Sequence, residues 1–255
     1  MDESEKIINT ANLLLEISSL LMVSGANTNR TNLSIDRFAS VLNFKASSMI
    51  SHKTIIMTLE DEETNLSCTR VQNLPPYAIN FTIISEISKA SWNAISDNWT
   101  LEQIANEIER IKHTNRYPRI IILIAVSLAG AGFCNIFKGD YINMLVAFVS
   151  TFMGLFIFQE THKIKYNLYL RIFSGAFVAS SVASVGILYH IGEQPQSALA
   201  TSILFLVPGV ALINSFTDLL ENNMLNGIVR FTHGLMTVLA MAIGLFLAMY
   251  LFQIK

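Results

Sequence analysis

Charged residues are scarce in this chain of 255 residues, and that scarcity argues against an ordinary soluble protein. Asp, Glu, Lys and Arg make up 14% of the sequence and hydrophobic residues 52%, and the mean hydropathy is +0.46. Of the charged residues, 24 precede Arg119 and 12 lie from Arg119 onward. This distribution predicts a polar amino-terminal part followed by a membrane region. The net charge of −2 provides no basic field, so no nucleic-acid partner is expected.

Groups that would carry metal, cofactor or covalent chemistry are also missing. The two cysteines, Cys68 and Cys134, do not have metal-ligand spacing. The amino-terminal part contains no glycine-rich phosphate loop, nucleophile motif or histidine cluster. His52, placed in a strand, and His113 are interpreted as lone structural histidines. We therefore expect no cofactor, no metal and no enzymatic activity.

A secretory signal is not expected, because the first residues, MDESEK, are acidic and polar where a basic segment would stand. The amino-terminal part is thus predicted to remain in the cytoplasm.

Five apolar runs are long enough to cross a bilayer, which takes about 20 residues in a helix. They are Ile120 to Phe137, Tyr141 to Phe158, Ile172 to Tyr189, Ala198 to Thr217 and Phe231 to Ile254. The predicted fold is an α-helical membrane protein with five transmembrane helices at 118–255, preceded by a small cytosolic α+β domain at 1–117.

Lysine and arginine are distributed unevenly between the two sides of these spans. One side has Lys138 and Lys255, and the side of the amino-terminal part has Arg110, Lys112, Arg116, Arg119, Lys163, Lys165, Arg171 and Arg230. Because cytoplasmic loops are enriched in basic residues, the amino terminus is predicted inside and the carboxy terminus outside the inner membrane of a bacterial cell.

The amino-terminal part shows alternating helix and strand signals. A helix at 7–24 is followed by Gly25 as its C-cap, and Asn27, Thr28 or Asn29 is able to cap the next helix. Two β-rich runs, SMISHKTIIMTL and TNLSCTRV, flank the acidic connection EDEE and predict a hairpin. Helices then follow at about 79–95 and 101–111, the second with a capping box of Thr100 and Gln103, before Pro118 precedes the first span.

The fourth span contains a helix breaker. Pro208 has no N–H to donate to the carbonyl of Leu204, so the helix must bend or break there, and Gly209 eases the bend. Beyond it, Asn214, Asp218 and Glu221 share one helical face, with Ser215 beside them. Such a face in a membrane helix usually points into the bundle or toward water. Asp218 lies near the cytoplasmic end of the span, however, so an interfacial or capping role is an equal alternative.

A second polar group is predicted on the cytoplasmic side of the membrane. Gln159, Glu160 and His162 end the second span, and Arg230 and His233 begin the fifth. Together they form either a titratable vestibule or a solvated belt at the helix ends.

Four segments in order along the chain, SGANTNR, the hairpin end TRV, TLEQIANEIERI and VPGVALINSFTDLLENNMLNGIVR, resemble the threonine/serine exporter family. The resemblance implies that this chain is the first half of a transporter whose second half is a separate membrane subunit. It also implies export of threonine and serine driven by the proton-motive force, or, in the split form, of dicarboxylates such as succinate.

The family pattern maps onto particular residues of this chain. Pro208, Gly209, Asn214 and Asp218 match its proline, glycine, asparagine and aspartate, and Arg230 matches the following basic position. The amino-terminal motif covers Ser24, Gly25, Ala26, Asn27 and Arg30; a glutamate commonly stands where this chain has Asn27, so any role of that charge is lost here.

Three functions are considered for this sequence. In the first, the chain is a transport subunit in which Asn214 and Ser215 bind solute or water, Asp218 carries a proton or pairs with a cation, and Arg230 meets a substrate carboxylate. In the second, it is a membrane-anchored interaction or regulatory subunit. The third, an intramembrane aspartyl protease, requires two carboxylates at one site, but Asp140 is predicted on the opposite side from Asp218. The expected partners are the second subunit, a homo- or hetero-oligomer, membrane lipid and a small polar solute.

Overall fold

The computed structural model describes residues 3–61, 64–114 and 117–254. The chain divides into two compact units. The first contains the described residues of Met1–Asn115 together with Val210–Thr232, and the second contains those of Arg116–Gly209 together with His233–Lys255. Six residues used in the sequence interpretation lie outside the described residues: Met1, Asp2, Glu62, Glu63, Arg116 and Lys255.

Four helices of the first unit precede or follow a small sheet. They are α1 (Glu3–Val23), α2 (Thr28–Val41), α3 (Phe81–Asp97) and α4 (Leu101–Lys112). The predicted caps are present: Gly25 adopts a φ of +96°, and the Asn27 side chain accepts a hydrogen bond from the main-chain N–H of Arg30. Thr100 and Gln103 form the capping box. Each cap satisfies main-chain groups that a helix end leaves without an internal partner.

The β region is a three-stranded antiparallel sheet, β1 (Lys45–Ile50), β2 (Thr54–Glu60) and β3 (Ser67–Asn73), in the order β1-β2-β3. The hairpin predicted across EDEE is present as β2 and β3, but the β-rich run SMISHKTIIMTL forms parts of two strands, because the chain turns between Ile50 and Thr54. The N–H of Ser51 donates to the carbonyl of Thr54 at 2.9 Å, and the hydroxyl of Ser51 donates to the same oxygen. His52 therefore lies in a turn and not in a strand.

The core of the first unit lies around α1 and the inner face of the sheet. Leu14, Ile17 and Leu21 of α1 are fully buried, as are Ile55 and Met57 of β2. This burial explains the apolar composition of α1, since a helix in the middle of a core has few positions that face water.

The second unit consists of α5 (Arg119–Ile136), α6 (Tyr141–Lys163), α7 (Leu168–Leu188), α8 (Pro195–Ser202), a 3₁₀ turn (Leu204–Leu206) and the later part of α10 (Met224–Leu251). Glycines allow its helices to approach closely. A Cβ atom added at Gly154 of α6 would lie 2.8 Å from the carbonyl of Gly175 in α7, and one at Gly244 of α10 would lie 2.7 Å from the carbonyl of Phe173.

Among the described residues, five helices are long and apolar enough to cross a membrane. Four of them, α5, α6, α7 and α10, correspond to predicted spans, although α10 begins seven residues before the predicted Phe231. The other is α1, of which 56% of the apolar window is buried inside the protein.

The predicted span at 198–217 is not one helix. α8 ends at Ser202, the 3₁₀ turn follows, and α9 (Gly209–Leu220) begins immediately after Pro208. The main-chain N–H of Val207 donates to the carbonyl of Leu204 at 3.1 Å, so the 3₁₀ turn satisfies the acceptor that proline is unable to serve. If the two bent halves count as one span, up to six crossings are available.

Candidate functional site

The candidate site is in the first unit, where α9 and the start of α10 form a tight helical hairpin. The helices meet closely at Gly227: a Cβ added there would lie 2.6 Å from Cγ of Leu219 and 3.0 Å from the carbonyl of Ser215. Between them, the N–H of Asn223 donates to the carbonyl of Asp218 at 2.7 Å. The hairpin thereby presents polar side chains from both helices to one neighbouring segment, Ser24–Asn29, here called the docking loop.

Asp218 is completely buried and contacts the start of α2. Its Oδ1 accepts a hydrogen bond from the main-chain N–H of Thr28 at 2.9 Å, and its Oδ2 lies 3.3 Å from Nε of Arg230. Thr28 is the first residue of α2, where N–H groups have no partner inside the helix and the helix dipole favours a negative charge. Asp218 therefore caps a helix that is distant from it in sequence. The ion pair at Oδ2 is not aligned as a hydrogen bond, which leaves that oxygen without a hydrogen-bond donor among the described residues.

Arg230 is also buried, and it joins Asp218 to the docking loop. Its Nη2 donates to the carbonyl of Ala26 at 2.9 Å and contacts Sδ of Met22 at 3.6 Å. Tyr77 lies beside this pair: desolvation raises the pKa of its phenol, while the positive charge of Arg230 opposes that shift. The charge on Arg230 is thus balanced by Asp218 and by a main-chain carbonyl.

Two asparagines complete the contacts with main-chain atoms. The Nδ2 of Asn214 donates to the carbonyl of Gly25 at 2.7 Å. The Nδ2 of Asn226 donates to Oγ1 of Thr28 at 3.0 Å and to the carbonyl of Ile50 at 2.8 Å. Since an unpaired buried amide costs about 1–3 kcal/mol, these pairings fix the hairpin in one register against α2 and β1.

Some of the residues matched by the resemblance therefore lie close together. Asn214, Asp218 and Arg230 lie against Gly25, Ala26 and Thr28, and at the exposed edge Glu221 accepts a hydrogen bond from Asn29 at 3.0 Å. The hydroxyl of Ser215 donates instead to the carbonyl of Leu212, one turn earlier in its own helix, at 2.7 Å.

The remaining members of the amino-terminal motif have structural contacts. The carbonyl of Ser24 accepts from the N–H of Asn80 at 3.0 Å. The main-chain N–H of Arg30 donates to Asn27 at 2.7 Å. Pro208 and Gly209 belong to the second unit, at the break between the 3₁₀ turn and α9.

Two of the secondary candidates of the second unit, Glu160 and His233, have side-chain partners there. Glu160 forms ion pairs with Arg119 at 2.6 Å and Lys163 at 3.0 Å. Nδ1 of His233 lies 2.7 Å from the hydroxyl of Tyr169. His162 is exposed in the last turn of α6.

Sequence reasoning missed Asn226, Thr28 as a partner of Asp218, and Tyr77. Asn226 stands four residues before Arg230, on the same face of α10, and that spacing was a usable signal. The contact between Thr28 and Asp218 had no local signal, because it joins segments far apart in the chain.

In the part of the chain that the structure describes, no group of three or more His, Cys, Asp and Glu side chains is arranged to hold a metal ion. The chemistry available at the site is therefore that of a buried ion pair, amide groups and main-chain acceptors.

Comparison with known proteins agrees with the resemblance seen in the sequence. The family described as "Putative threonine/serine exporter" matches residues 12–252. A "Probable succinate transporter subunit YjjP" from Klebsiella aerogenes is 26% identical over 209 residues, covering 82% of this chain and 80% of the relative. The protein of the same description from Escherichia coli is 24% identical over 214 residues, with the same coverage. No solved structure matches the chain.

The family match covers almost the whole chain, including the docking loop, the hairpin and the apolar helices α5, α6, α7 and α10. The chain therefore belongs to the threonine/serine exporter family and is an integral membrane protein of the transporter class.

Proposed function

We propose that this protein is one subunit of a secondary transporter that exports a small amino acid or a small dicarboxylate and is driven by the proton-motive force. The second subunit is a membrane protein of the same family. The observation that carries the proposal is the buried Asp218–Arg230 pair, which joins the end of α9, the second half of a bent apolar segment, to the start of α10. Ionisable groups buried in a membrane segment are costly, and they typically serve an ion or solute pathway.

In this proposal each polar residue of the hairpin has a role in transport. Asp218 exchanges a proton or pairs with a cation, Arg230 receives a solute carboxylate, and Asn214 and Ser215 bind solute or water. Three of these groups are held by the docking loop in the structure described. Transport then requires a second state in which the loop releases them.

The proposal covers two classes of solute, small amino acids and small dicarboxylates. Threonine and serine follow from the family description, and succinate follows from the names of the relatives. All of them carry a carboxylate that suits Arg230, but only the amino acids also carry an ammonium group. Measurement with both classes is therefore part of the test.

The proposed topology places the amino-terminal part, residues 1–117, in the cytoplasm, the region from 118 in the inner membrane and the carboxy terminus outside. The asymmetry of lysine and arginine supports this orientation.

The test is efflux of labelled threonine, serine and succinate from vesicles that contain this chain alone or this chain with its partner subunit. Asp218→Asn in the pair should reduce gradient-driven flux per folded complex, with the amount of folded complex measured in the same vesicles, by at least about tenfold, the size expected when a charged hydrogen-bonding group is lost from a pathway. Asp97→Asn, the same chemical change at the exposed end of α3, is the matched control and should leave flux unchanged. Wild-type flux in the Asp218→Asn pair would refute the role given to this carboxylate.

A membrane-anchored regulatory subunit is the second candidate, and one observation favours it. Asn214, Asp218 and Arg230 all bind main-chain atoms of the docking loop, as structural contacts do. In that case Asp218→Asn would weaken the attachment of the hairpin to the docking loop and leave the transport rate of each folded complex unchanged.

A further inference from the structure

One end of the second unit carries more positive than negative charge. At this end α5 begins, α6 ends and α7 begins, and its described charged residues are Arg119, Lys163, Lys165, Arg171 and Glu160. Glu160 forms ion pairs with both Arg119 and Lys163. Lys165 and Arg171 have no ion pair with any residue that the structure describes. Two positive charges at this end are therefore not balanced within the described chain.

The side chain of Arg171 is held in place by α6. Arg171 lies in the first turn of α7, and its Cζ is 4.6 Å from the centre of the Phe158 ring in α6. A guanidinium is attracted to the face of an aromatic ring. The Nε of Arg171 is buried without a hydrogen-bond partner, and its two terminal nitrogens are neither buried nor bonded to a described residue. The guanidinium is thus oriented by Phe158 and keeps its outer donors available.

Such an arginine calls for an anionic partner. Ionisable side chains in membrane helices usually pair with one another or with main-chain carbonyls, and Arg171 does neither. Its planar guanidinium matches two oxygens of a phosphate or a carboxylate, and the ammonium of Lys165 adds a second charge six residues earlier. Both residues belong to the same end of the α6–α7 pair. This end therefore favours a ligand with an anionic group.

The apolar surroundings of these two cations favour a lipid over a soluble anion. Exposed apolar or aromatic side chains flank them in the α6–α7 connection and at the start of α7: Ile164, Tyr166, Leu168 and Leu170. Tyrosine is enriched at the level of the lipid headgroups. A phospholipid offers an anionic phosphate to the cations and acyl chains to the apolar side chains, whereas a small soluble anion matches only the cations.

The opposite end of the same helices has a different charge balance. Lys138 precedes Asp140 in the connection between α5 and α6, and Glu193 follows α7. The described residues there carry one positive and two negative charges. The surplus of positive charge is thus confined to the end that contains Arg171. Lys138 is exposed and provides a matched control for the loss of one positive charge.

We propose that the α6–α7 end binds the headgroup of an anionic phospholipid. Arg171 donates to the phosphate oxygens through its terminal nitrogens, Lys165 adds positive charge, and the exposed apolar side chains contact the acyl chains. Basic groups between membrane helices bind anionic headgroups in this way. A zwitterionic lipid is disfavoured, because its own cation faces the same two side chains. This binding does not depend on the proposed transport function.

The experiment measures thermal unfolding of the full chain in a neutral detergent. Dioleoylphosphatidylglycerol is titrated against dioleoylphosphatidylcholine, which has the same acyl chains and no net charge. Inorganic phosphate and succinate are tested separately as soluble anions. The variants are Arg171→Gln with Lys165→Gln, and Lys165→Gln alone, which changes only an exposed side chain. Lys138→Gln is the control.

We expect phosphatidylglycerol to raise the unfolding temperature of the wild type and of Lys138→Gln more than phosphatidylcholine does. Each basic residue near an anionic lipid surface contributes about fivefold in binding. Lys165→Gln should therefore require about fivefold more phosphatidylglycerol for the same rise, and the double variant at least about tenfold more. High salt should reduce the rise, because it screens the exposed charges.

Three results would overturn the proposal. Equal effects of the two lipids would show that only acyl chains bind. An equal rise with inorganic phosphate or succinate would show a site for soluble anions. A wild-type response of the variants, or a loss in Lys138→Gln equal to that in Lys165→Gln, would show that these two cations form no specific site. Vesicle flux is measured separately, so absence of transport leaves the lipid result standing.

Discussion

The Asp218 carboxylate accepts a hydrogen bond from the main-chain N–H of Thr28 at 2.9 Å, across a separation of 190 residues. The contact satisfies an N–H at the start of α2 and places a negative charge at the positive end of that helix. It also ties the hairpin of α9 and α10 to the amino-terminal part, so the stability of one depends on the other.

The pairing of Asp218 with Arg230 can be measured by a double-mutant cycle. Asp218→Asn and Arg230→Met should each destabilise the first unit by about 3–5 kcal/mol, because each leaves the other charge buried without its counter-ion. The double variant should lose less than the sum of the two, with a coupling energy of about 0.5–3 kcal/mol. Hydrogen exchange of peptides covering the docking loop measures these differences; additive losses would show that the pair is not coupled.

We expect Asn226 to contribute more to the stability of the first unit than the exposed Asn29 does. Asn226→Ala leaves the carbonyl of Ile50 and the hydroxyl of Thr28 without this donor, at an expected cost of about 1–3 kcal/mol. Asn29→Ala, which removes one exposed hydrogen bond to Glu221, is the control and should cost no more than about 0.5 kcal/mol. Equal effects of the two substitutions in thermal unfolding would contradict the bridging role of Asn226.

The close approach at Gly227 predicts a steric effect. Gly227→Ala places a methyl group within 2.6 Å of Leu219, and relief requires movement of the hairpin, at a cost of about 1–3 kcal/mol. Gly132→Ala in α5 is the comparison, because a Cβ there meets no described atom within 4 Å. That variant should be neutral or slightly more stable. A neutral Gly227→Ala in the same unfolding assay would mean that the helices are free to separate.

Asn27 provides a test of the cap of α2. Asn27→Ala should cost about 1 kcal/mol, since the N–H of Arg30 loses its acceptor, whereas Asn27→Asp should retain the cap. The amide exchange rate of Arg30, followed by NMR or mass spectrometry, reports the difference directly. If both variants exchange alike, the side chain at 27 does not hold this N–H.

The features predicted well from sequence were those with local signals. The caps at Gly25, Asn27 and Thr100 involve residues within about four positions of each other, and the apolar spans extend over continuous runs. The turn at Ser51–Lys53 was missed because SHK contains neither glycine nor proline and lies inside an apolar run that reads as one strand.

The sequence predicted which residues of α9 share one face of the site, but it did not predict what that face contacts. The sequence indicated that Asn214, Asp218 and Glu221 share a face, because helical periodicity determines it. Nothing in the spacing indicated that this face would meet Gly25, Ala26 and Thr28. That pairing joins segments about 190 residues apart in the chain, which no local pattern specifies.

The hairpin recognises the docking loop largely through its backbone: three of the partner atoms are the carbonyl of Gly25, the carbonyl of Ala26 and the N–H of Thr28. Such atoms are present whatever the side chain. A substitution at position 26 can therefore keep the hydrogen bond to its carbonyl, provided that the new side chain fits. Position 25 is different, because its φ of +96° is a conformation that residues with a Cβ rarely adopt. At positions 27, 28 and 29 the side chains themselves are constrained, because they cap α2 and bond to Asn226 and Glu221, so within the loop the backbone path is the main constraint only at positions 25 and 26.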